Sequence, residues 1–167
     1  MPGNLQAVSG KRMNPLQRTA KVLRQFFAPH GAGTPQGPLQ VLNATRGAIL
    51  ATRLEAATSS AARRKGLLGR DRLLPGEGLW IVPCESVHTF FMRFPIDLVY
   101  LDRKNRIRKV RNAVGPWRLS ACLSAHSILE LPAGTIRETR TERGDTIEIV
   151  PAPSAENSAW KSTGGRG

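Results

Sequence analysis

The chain has 167 residues and a formal net charge of +13, with 25 Lys and Arg against 12 Asp and Glu. This length favours one domain, and two cysteines are too few for the disulfide framework of a small secreted protein. No apolar run reaches the roughly 18 residues of a membrane-spanning helix, so the composition predicts a soluble domain with basic appendages.

The first appendage is a leader, residues 1–38, with five basic and no acidic side chains. Asn14 and Pro15 are typical of a helix start, and apolar residues then recur at spacings of three and four up to Phe27. The pattern predicts a basic amphipathic helix over 15–27 in an otherwise disordered leader. Such a helix either docks on an acidic membrane surface or partner protein, or packs on its own domain or frays.

One further helix is predicted in front of the main run of strands. Thr58 or Ser59 can cap a helix that runs to about Leu68, and Gly69 suits its end. At the end of the chain, residues 151–167 are rich in Pro, Ser and Gly, which predicts a disordered tail. Met13 is an alternative start of the chain.

Strand signals concentrate in residues 39–150. Short apolar or β-branched runs separated by turn residues fall at 48–52, 79–82, 87–92, 96–101, 107–114, 127–131 and 146–150. Ile107 and Val110 break strict alternation, so we expect a β-bulge near Arg108. The pattern predicts a mainly β fold, a compact antiparallel sandwich or barrel-like domain of about seven short strands with one or two short helices.

Four blocks form an ordered set of motifs along this domain. They are KGLLGR at 65–70 with GEGL at 76–79, SVHTFFMRFPID at 86–97, PWR at 116–118, and LELPAG at 129–134 with GD at 144–145. In this order they resemble the domain of unknown function 192 family over about residues 47–150. The resemblance implies a compact, mainly β domain and no reaction, because none is established for the family. Phe91 and the polar stretch 137–143 depart from its pattern.

An extended chain over 84–92 would place Cys84, Ser86, His88, Phe90 and Met92 on one face. A thiol beside an imidazole is the minimal arrangement for a thiolate nucleophile with its base. The alternative is a buried thiol beside a hydrogen-bonded histidine. We favour this alternative because the sequence offers no third group to orient the base.

The two cysteines and two of the three histidines repeat one spacing, Cys84 with His88 and Cys122 with His126. Thiolate and imidazole are the ligands that zinc prefers, but zinc sites commonly use Cys pairs and His pairs rather than mixed pairs. The family resemblance also implies no metal. We therefore predict no metal and no cofactor, with these four residues as weak candidates.

Asp97 and Glu130 interrupt otherwise apolar strands, and a buried charge must be paired or hydrogen-bonded. We expect a buried ion pair that fixes the strand register, with Arg70, His88, Arg93 and Arg118 as the available partners. The functional alternative is a polar patch at the mouth of a pocket. The candidate binding residues are then His88, Phe90, Met92, Arg93, Asp97, Trp117, Arg118 and Glu130.

Six of the nine residues from 103 to 111 are basic. Such a cluster is typical either of nucleic-acid or acidic-protein binding, or of a solvated edge strand that charge protects from pairing. No aromatic side chain alternates with these charges, so there is no platform for base stacking and we do not expect specific nucleic-acid binding.

The sequence thus predicts a non-enzymatic binding or accessory module that its leader recruits to an acidic membrane surface or an acidic partner protein. The alternative is an enzyme or small-ligand binder that uses a polar pocket around His88, Asp97 and Glu130. We expect a cytoplasmic, bacterial-type protein, peripheral at the inner membrane face where the leader acts.

Overall fold

The computed structural model describes residues 38–152, which fold into nine strands and two short helices. The strands are β1 Leu39–Asn43, β2 Ala48–Ala57, β3 Glu77–Ile81, β4 Ser86–His88, β5 Ile96–Leu101, β6 Ile107–Val114, β7 Leu119–Ala121, β8 Ser127–Pro132 and β9 Ile147–Pro151. The helices are α1 Ser60–Lys65 and α2 Thr135–Glu138. The predicted leader helix and tail lie outside this range. Neither described helix is long enough to cross a membrane.

Seven strands form one curled sheet in the order β6–β5–β8–β3–β2–β1–β9, and β4 and β7 form a separate two-stranded layer. Within the large sheet only β2 and β3 pair in parallel. The two edges approach each other, since the Ile107 N–H donates to the Asp145 carbonyl at 2.8 Å and the Ile147 N–H to the Asn105 carbonyl at 2.9 Å. The sheet is therefore a half-barrel whose edge strands meet at one corner.

The sheet has an apolar core on each face. All seven strands contribute to the inner core, where Trp80, Val99 and Leu129 are almost fully buried. The outer face carries Leu98 and Tyr100, which the β4–β7 layer and the segment after α1 help to cover. Strands β5 and β8 are thus buried on both faces, which explains why their sequences are almost continuously apolar.

The structure confirms the predicted mainly β class and extends it. Two short strands, β1 and β7, were not predicted. Ser59 caps α1 as expected, since its Oγ accepts the Ala62 N–H at 3.1 Å. The helix nevertheless ends at Lys65 rather than near Leu68, because Gly66 adopts a positive φ of 49° that turns the chain.

Of two further predictions about the strands, one is confirmed and one is wrong. Tyr100 pairs with Lys109 and Leu101 with Ile107, so Arg108 is the extra residue and the predicted bulge is confirmed. The predicted strand over 87–92 is too long, because β4 ends at His88 and Phe91 turns at a φ of 63°. The five alternate residues from 84 to 92 therefore do not line one strand face.

Candidate functional site

A pocket of about 280 Å³ opens on the outer face of the half-barrel, between α1, β4 and the strands β3 and β8. Its walls are Arg63, Arg64, Lys65, Gly66, Leu67, Leu68, Ile81, Cys84, Ser86, Val87, His88, Met92 and Glu130. The elements that form it are held by the outer core, which includes Leu67, Ile81 and Met92. Its geometry is therefore fixed by packing of the fold rather than by a free loop.

Glu130 lines this pocket and is almost fully buried. Along β8 the side chains alternate between faces, so Glu130 points outward with Ile128 while Leu129 points into the inner core. Its strand neighbours are Leu79 of β3 and Leu98 of β5, which offer no hydrogen bond from their side chains.

Glu130 is 4% exposed, and its Oε2 has no hydrogen-bond partner among residues 38–152. Burial raises its pKa from the ordinary 4.5 to about 7, against the opposing field of Arg70. The Arg70 guanidinium is itself paired with Glu55 at 2.7 Å. Glu130 is thus a carboxyl that is partly protonated near neutral pH, and its Oε2 is available to form a hydrogen bond with a ligand.

Cys84 and His88 both line this pocket, as the sequence-based hypothesis of a thiol near an imidazole required. The Cys84 thiol donates to the Ser86 carbonyl at 3.0 Å, and burial raises its pKa. A raised pKa keeps sulfur in the thiol form, whereas a nucleophile needs thiolate. The raised pKa therefore disfavours the nucleophile hypothesis. The alternative of a buried thiol beside a hydrogen-bonded histidine is not matched either, because Cys84 is half-buried and His88 is exposed.

The pocket wall is also basic, because it includes the last three residues of α1. The Arg63 guanidinium donates to the Thr58 carbonyl and the Ser60 hydroxyl, which fixes it against the start of its own helix. Arg64 and Lys65 are exposed and form no ion pair within residues 38–152. The helix therefore supplies two cations that are available to a ligand.

Asp97 does not belong to this pocket, which corrects the predicted grouping of His88, Asp97 and Glu130. Its carboxylate is fully buried and accepts three backbone N–H groups, from Ala113 at 2.7 Å, Gly134 at 3.1 Å and Ile136 at 2.8 Å. The expected ion pair is also wrong, because neither Asp97 nor Glu130 forms a salt bridge with any residue from 38 to 152.

Four aromatic rings adjoin the pocket through His88. The His88 ring stacks on Phe90 at 5.1 Å, Phe90 lies 5.7 Å from Trp117, and Phe91 meets Trp117 edge-on at 4.7 Å. Phe91 and Trp117 are 70% and 55% exposed. The predicted residues Phe90 and Trp117 are therefore neighbours of the pocket rather than part of its wall.

The two remaining predicted arginines lie at the protein surface. Arg93 pairs with Asp71, and both side chains are about three-quarters exposed. Arg118 donates to the carbonyl of Trp117. An exposed ion pair contributes little to stability, and neither arginine lines the pocket.

The weak metal candidates are not gathered into one site. Residues 38–152 contain no cluster of three or more His, Cys, Asp or Glu side chains that could hold a metal ion. Cys122 lies 3.4 Å from the Ser124 hydroxyl, and burial lowers the pKa of His126.

The basic segment over 103–111 forms the turn before β6 and much of that strand. The Asp102 carboxylate accepts the N–H groups of Lys104 and Arg106, which fixes the turn. Lys109 lies over the Tyr100 ring at 5.4 Å and donates to the Ala121 carbonyl, so it ties β6 to β7. At least part of this charge therefore has a structural role.

Residues 41–149 match the model of a family described as DUF192, uncharacterized ACR. The chain belongs to this family. A UPF0127 protein of Thermococcus kodakarensis is 30% identical over 122 residues, which cover 70% of this chain and 76% of that protein. A UPF0127 protein of Thermococcus sibiricus is 31% identical over 117 residues, 65% of this chain and 73% of that protein. These relatives are archaeal, which leaves the expected bacterial type without support.

Solved structures share the fold of this DUF192 domain. A protein of unknown function from Novosphingobium aromaticivorans superposes with a TM-score of 0.58 at 21% identity and covers 75% of this chain and 96% of its own. A protein from Sinorhizobium meliloti gives a TM-score of 0.59 at 21% identity, with coverages of 66% and 91%. Both are similar small β domains.

Three of the four sequence blocks that carry the DUF192 resemblance contribute to the pocket wall. Lys65–Leu68 come from the first block, Ser86–His88 and Met92 from the second, and Glu130 from the fourth. The sequence analysis missed the first of these groups as a site. The basic residues Arg63, Arg64 and Lys65, which lead into KGLLGR, were a usable signal. Nothing in the sequence showed that they line the same pocket as Glu130.

Proposed function

We propose that this domain is a small-ligand-binding module and that its ligand occupies the pocket between α1, β4 and the strands β3 and β8. The observation that carries the proposal is the buried Glu130 carboxyl, which reaches this pocket without a hydrogen-bond partner among residues 38–152. A buried polar group left unpaired costs about 1–3 kcal/mol. A ligand that accepts or donates a hydrogen bond there would offset this cost.

The composition of the pocket supports the same proposal. Ligand sites combine apolar walls with a few convergent polar groups, and they commonly enclose about 300–1,000 Å³. This pocket, of about 280 Å³, has apolar walls from Leu67, Leu68 and Met92 around one buried carboxyl. A carboxyl whose pKa is strongly shifted by burial is also a common feature of functional sites.

Binding is better supported than nucleophilic catalysis by Cys84. The thiol donates its hydrogen to the Ser86 carbonyl, and burial raises the pKa of the thiol. Activation would instead need a base that accepts this hydrogen.

Recruitment of the domain to an acidic membrane surface or partner protein stays a separate prediction. It depends on the leader, and residues 1–37 lie outside the described structure. The pocket proposal does not depend on it, because every wall residue falls within 38–152.

The proposal is tested by titrating ¹⁵N-labelled full-length protein with three chain-matched probes, the neutral hexan-2-one, the anionic 5-oxohexanoate and the cationic 5-aminopentan-1-ol. We expect at least one probe to cause saturable amide shifts in residues 66–68 and 84–92. Glu130→Leu should abolish these shifts, whereas Glu148→Gln on β9 should retain them. Absence of saturable shifts with all three probes would contradict the proposal.

A further inference from the structure

The pocket has two ends of different chemistry. Glu130 is 4% exposed at the inner end, whereas Arg64 and Lys65 are exposed at the rim. A ligand that fills the pocket therefore contacts one buried carboxyl at its inner end and two cations at its rim.

The inner end suits a neutral oxygen acceptor. A carboxyl in an apolar surrounding avoids ionisation, and the protonated form donates one O–H. The strand neighbours Leu79 and Leu98 leave Glu130 no protein acceptor at its own level of the sheet. A carbonyl or hydroxyl oxygen of a ligand would supply the missing acceptor without bringing a second charge into the buried end.

The rim suits an anion. Arg64 and Lys65 have no ion pair within residues 38–152, and Arg63 adds a third positive charge at the same helix end. Glu130 is the one acidic residue in the wall. The charge balance of the wall therefore repels cations and attracts carboxylate or phosphate groups.

Much of the pocket wall is apolar. Leu67, Ile81 and Met92 are buried there, and Leu68 and Val87 are half-buried. The same wall also includes the half-buried Cys84 and the exposed Ser86 and His88. The apolar share of the wall suits a short hydrocarbon body between the polar ends of a ligand.

We propose that the ligand is a small amphipathic organic acid, bound with a carbonyl or hydroxyl oxygen at Glu130, a short apolar body between Leu67 and Met92, and its anionic group at Arg64 and Lys65. This assignment rests on the proposed binding function and adds the ligand class and its orientation. The assignment excludes an amine as the ligand. An amine could pair with an ionised Glu130, so the test must separate the two classes.

Other groups near Glu130 also carry charge or titrate, and the test must separate them. They are Arg70 after α1, Arg63, Arg64 and Lys65 of α1, Cys84 before β4 and His88 on β4. The Glu130→Gln variant isolates the contribution of Glu130. Its amide keeps a hydrogen-bond donor at the same position but does not ionise, so a pH effect that it removes belongs to Glu130.

The same three probes test the ligand class on the full-length protein, by dissociation constants from amide shifts at about pH 6 and pH 8. We expect 5-oxohexanoate to bind at least about tenfold more tightly than hexan-2-one or 5-aminopentan-1-ol. Its affinity should fall between pH 6 and pH 8 in the wild type and change much less in Glu130→Gln.

Charge reversal at the rim tests the orientation. Arg64→Glu with Lys65→Glu should weaken 5-oxohexanoate binding by about tenfold or more and leave hexan-2-one binding unchanged. The control is Arg137→Glu with Arg143→Glu, which changes the net charge equally at exposed positions outside the pocket wall. This control should preserve most of the affinity.

Each result decides between the two proposals. Preferential binding of 5-aminopentan-1-ol in the pocket would overturn the acid assignment while leaving the binding function standing. Equal binding of 5-oxohexanoate and hexan-2-one would overturn the role of the rim cations. Absence of saturable binding by all three probes would overturn the ligand class together with the binding function.

Discussion

Two buried carboxylates on adjacent strands of the half-barrel have opposite surroundings. Asp97 on β5 points to the inner face and accepts three backbone N–H groups. Glu130 on β8 points to the outer face, and its Oε2 has no hydrogen-bond partner within residues 38–152. Because Leu98 pairs with Glu130, the two acids differ by one position in register and therefore by one face of the sheet.

The contrast shows that burial alone does not decide the role of an acidic residue. Asp97 joins β6 to the start of α2, since its donors are Ala113, Gly134 and Ile136. Removing it would leave these three N–H groups without their acceptor. Glu130 joins no two parts of the fold, so its removal deprives no protein group of a partner. Asp97 is accordingly a structural residue, and Glu130 fits a binding role.

The largest expected effect is at the structural carboxylate. Asp97→Ala should lower the free energy of unfolding by about 4 kcal/mol, because it removes a charged acceptor from three backbone N–H groups, one of them in a fully buried hydrogen bond. Urea denaturation measures this change. The control Asp71→Ala removes only an exposed ion pair with Arg93 and should cost less than about 1 kcal/mol. If Asp97→Ala lowered the free energy of unfolding by only about 1 kcal/mol or less, the structural role of Asp97 would be contradicted.

The second expected effect is an increase, not a decrease, in the free energy of unfolding. Glu130→Gln should stabilise the protein at about pH 8 by up to about 3 kcal/mol, because the shift of the Glu130 pKa from 4.5 to about 7 measures the cost of its buried charge. Denaturation of Glu148→Gln on β9 provides the matched control, with little expected change. Marked destabilisation by Glu130→Gln would show that this carboxyl, like Asp97, supports the fold.

The pH dependence follows from the same shift. The folded protein holds the Glu130 proton more tightly than the unfolded chain, so ionisation favours unfolding. The advantage of Glu130→Gln over the wild type should be absent below about pH 4.5, grow up to about pH 7 and then remain constant. Denaturation of both proteins across this range measures the difference. A difference that does not vary with pH would contradict the assignment.

The sequence could identify this pair of acids but not tell them apart. Asp97 and Glu130 both interrupt apolar runs, which is enough to predict buried carboxylates that need partners. Backbone N–H groups hold Asp97, whereas the Glu130 Oε2 has no partner in the part of the chain that the structure describes. Backbone donors leave no signal in residue identity. The predicted ion pair failed for this reason.

The smallest expected effect concerns strain next to Asp97. Ala113 donates to Asp97 while holding a positive φ of 46°, which costs an alanine about 1 kcal/mol but a glycine little. Ala113→Gly should therefore stabilise the protein by about 0.5–1 kcal/mol in urea denaturation. Destabilisation would mean that the Ala113 side chain contributes packing that outweighs the strain.

Prediction of the fold succeeded where periodicity is strong and failed where structure is set by distant contacts. The bulge at Arg108 follows from the out-of-phase residues Ile107 and Val110. Among the described strands, the short β7 pairs only with β4, and its sequence LSA carries no alternation long enough to recognise. The pocket depends on α1 and β8 lining the same cavity, a tertiary arrangement that no local pattern encodes.

The most direct test of the central claim is the ionisation of Glu130 itself. In protein labelled with ¹³C at the glutamate carboxyls, the Glu130 resonance can be assigned by its loss in Glu130→Gln and followed through a pH titration. A midpoint near 7 is expected for a buried carboxyl that lacks a protein partner. A midpoint at the ordinary value of 4.5 would mean that Glu130 is solvated or paired, and would contradict its role as the recognition group of the pocket.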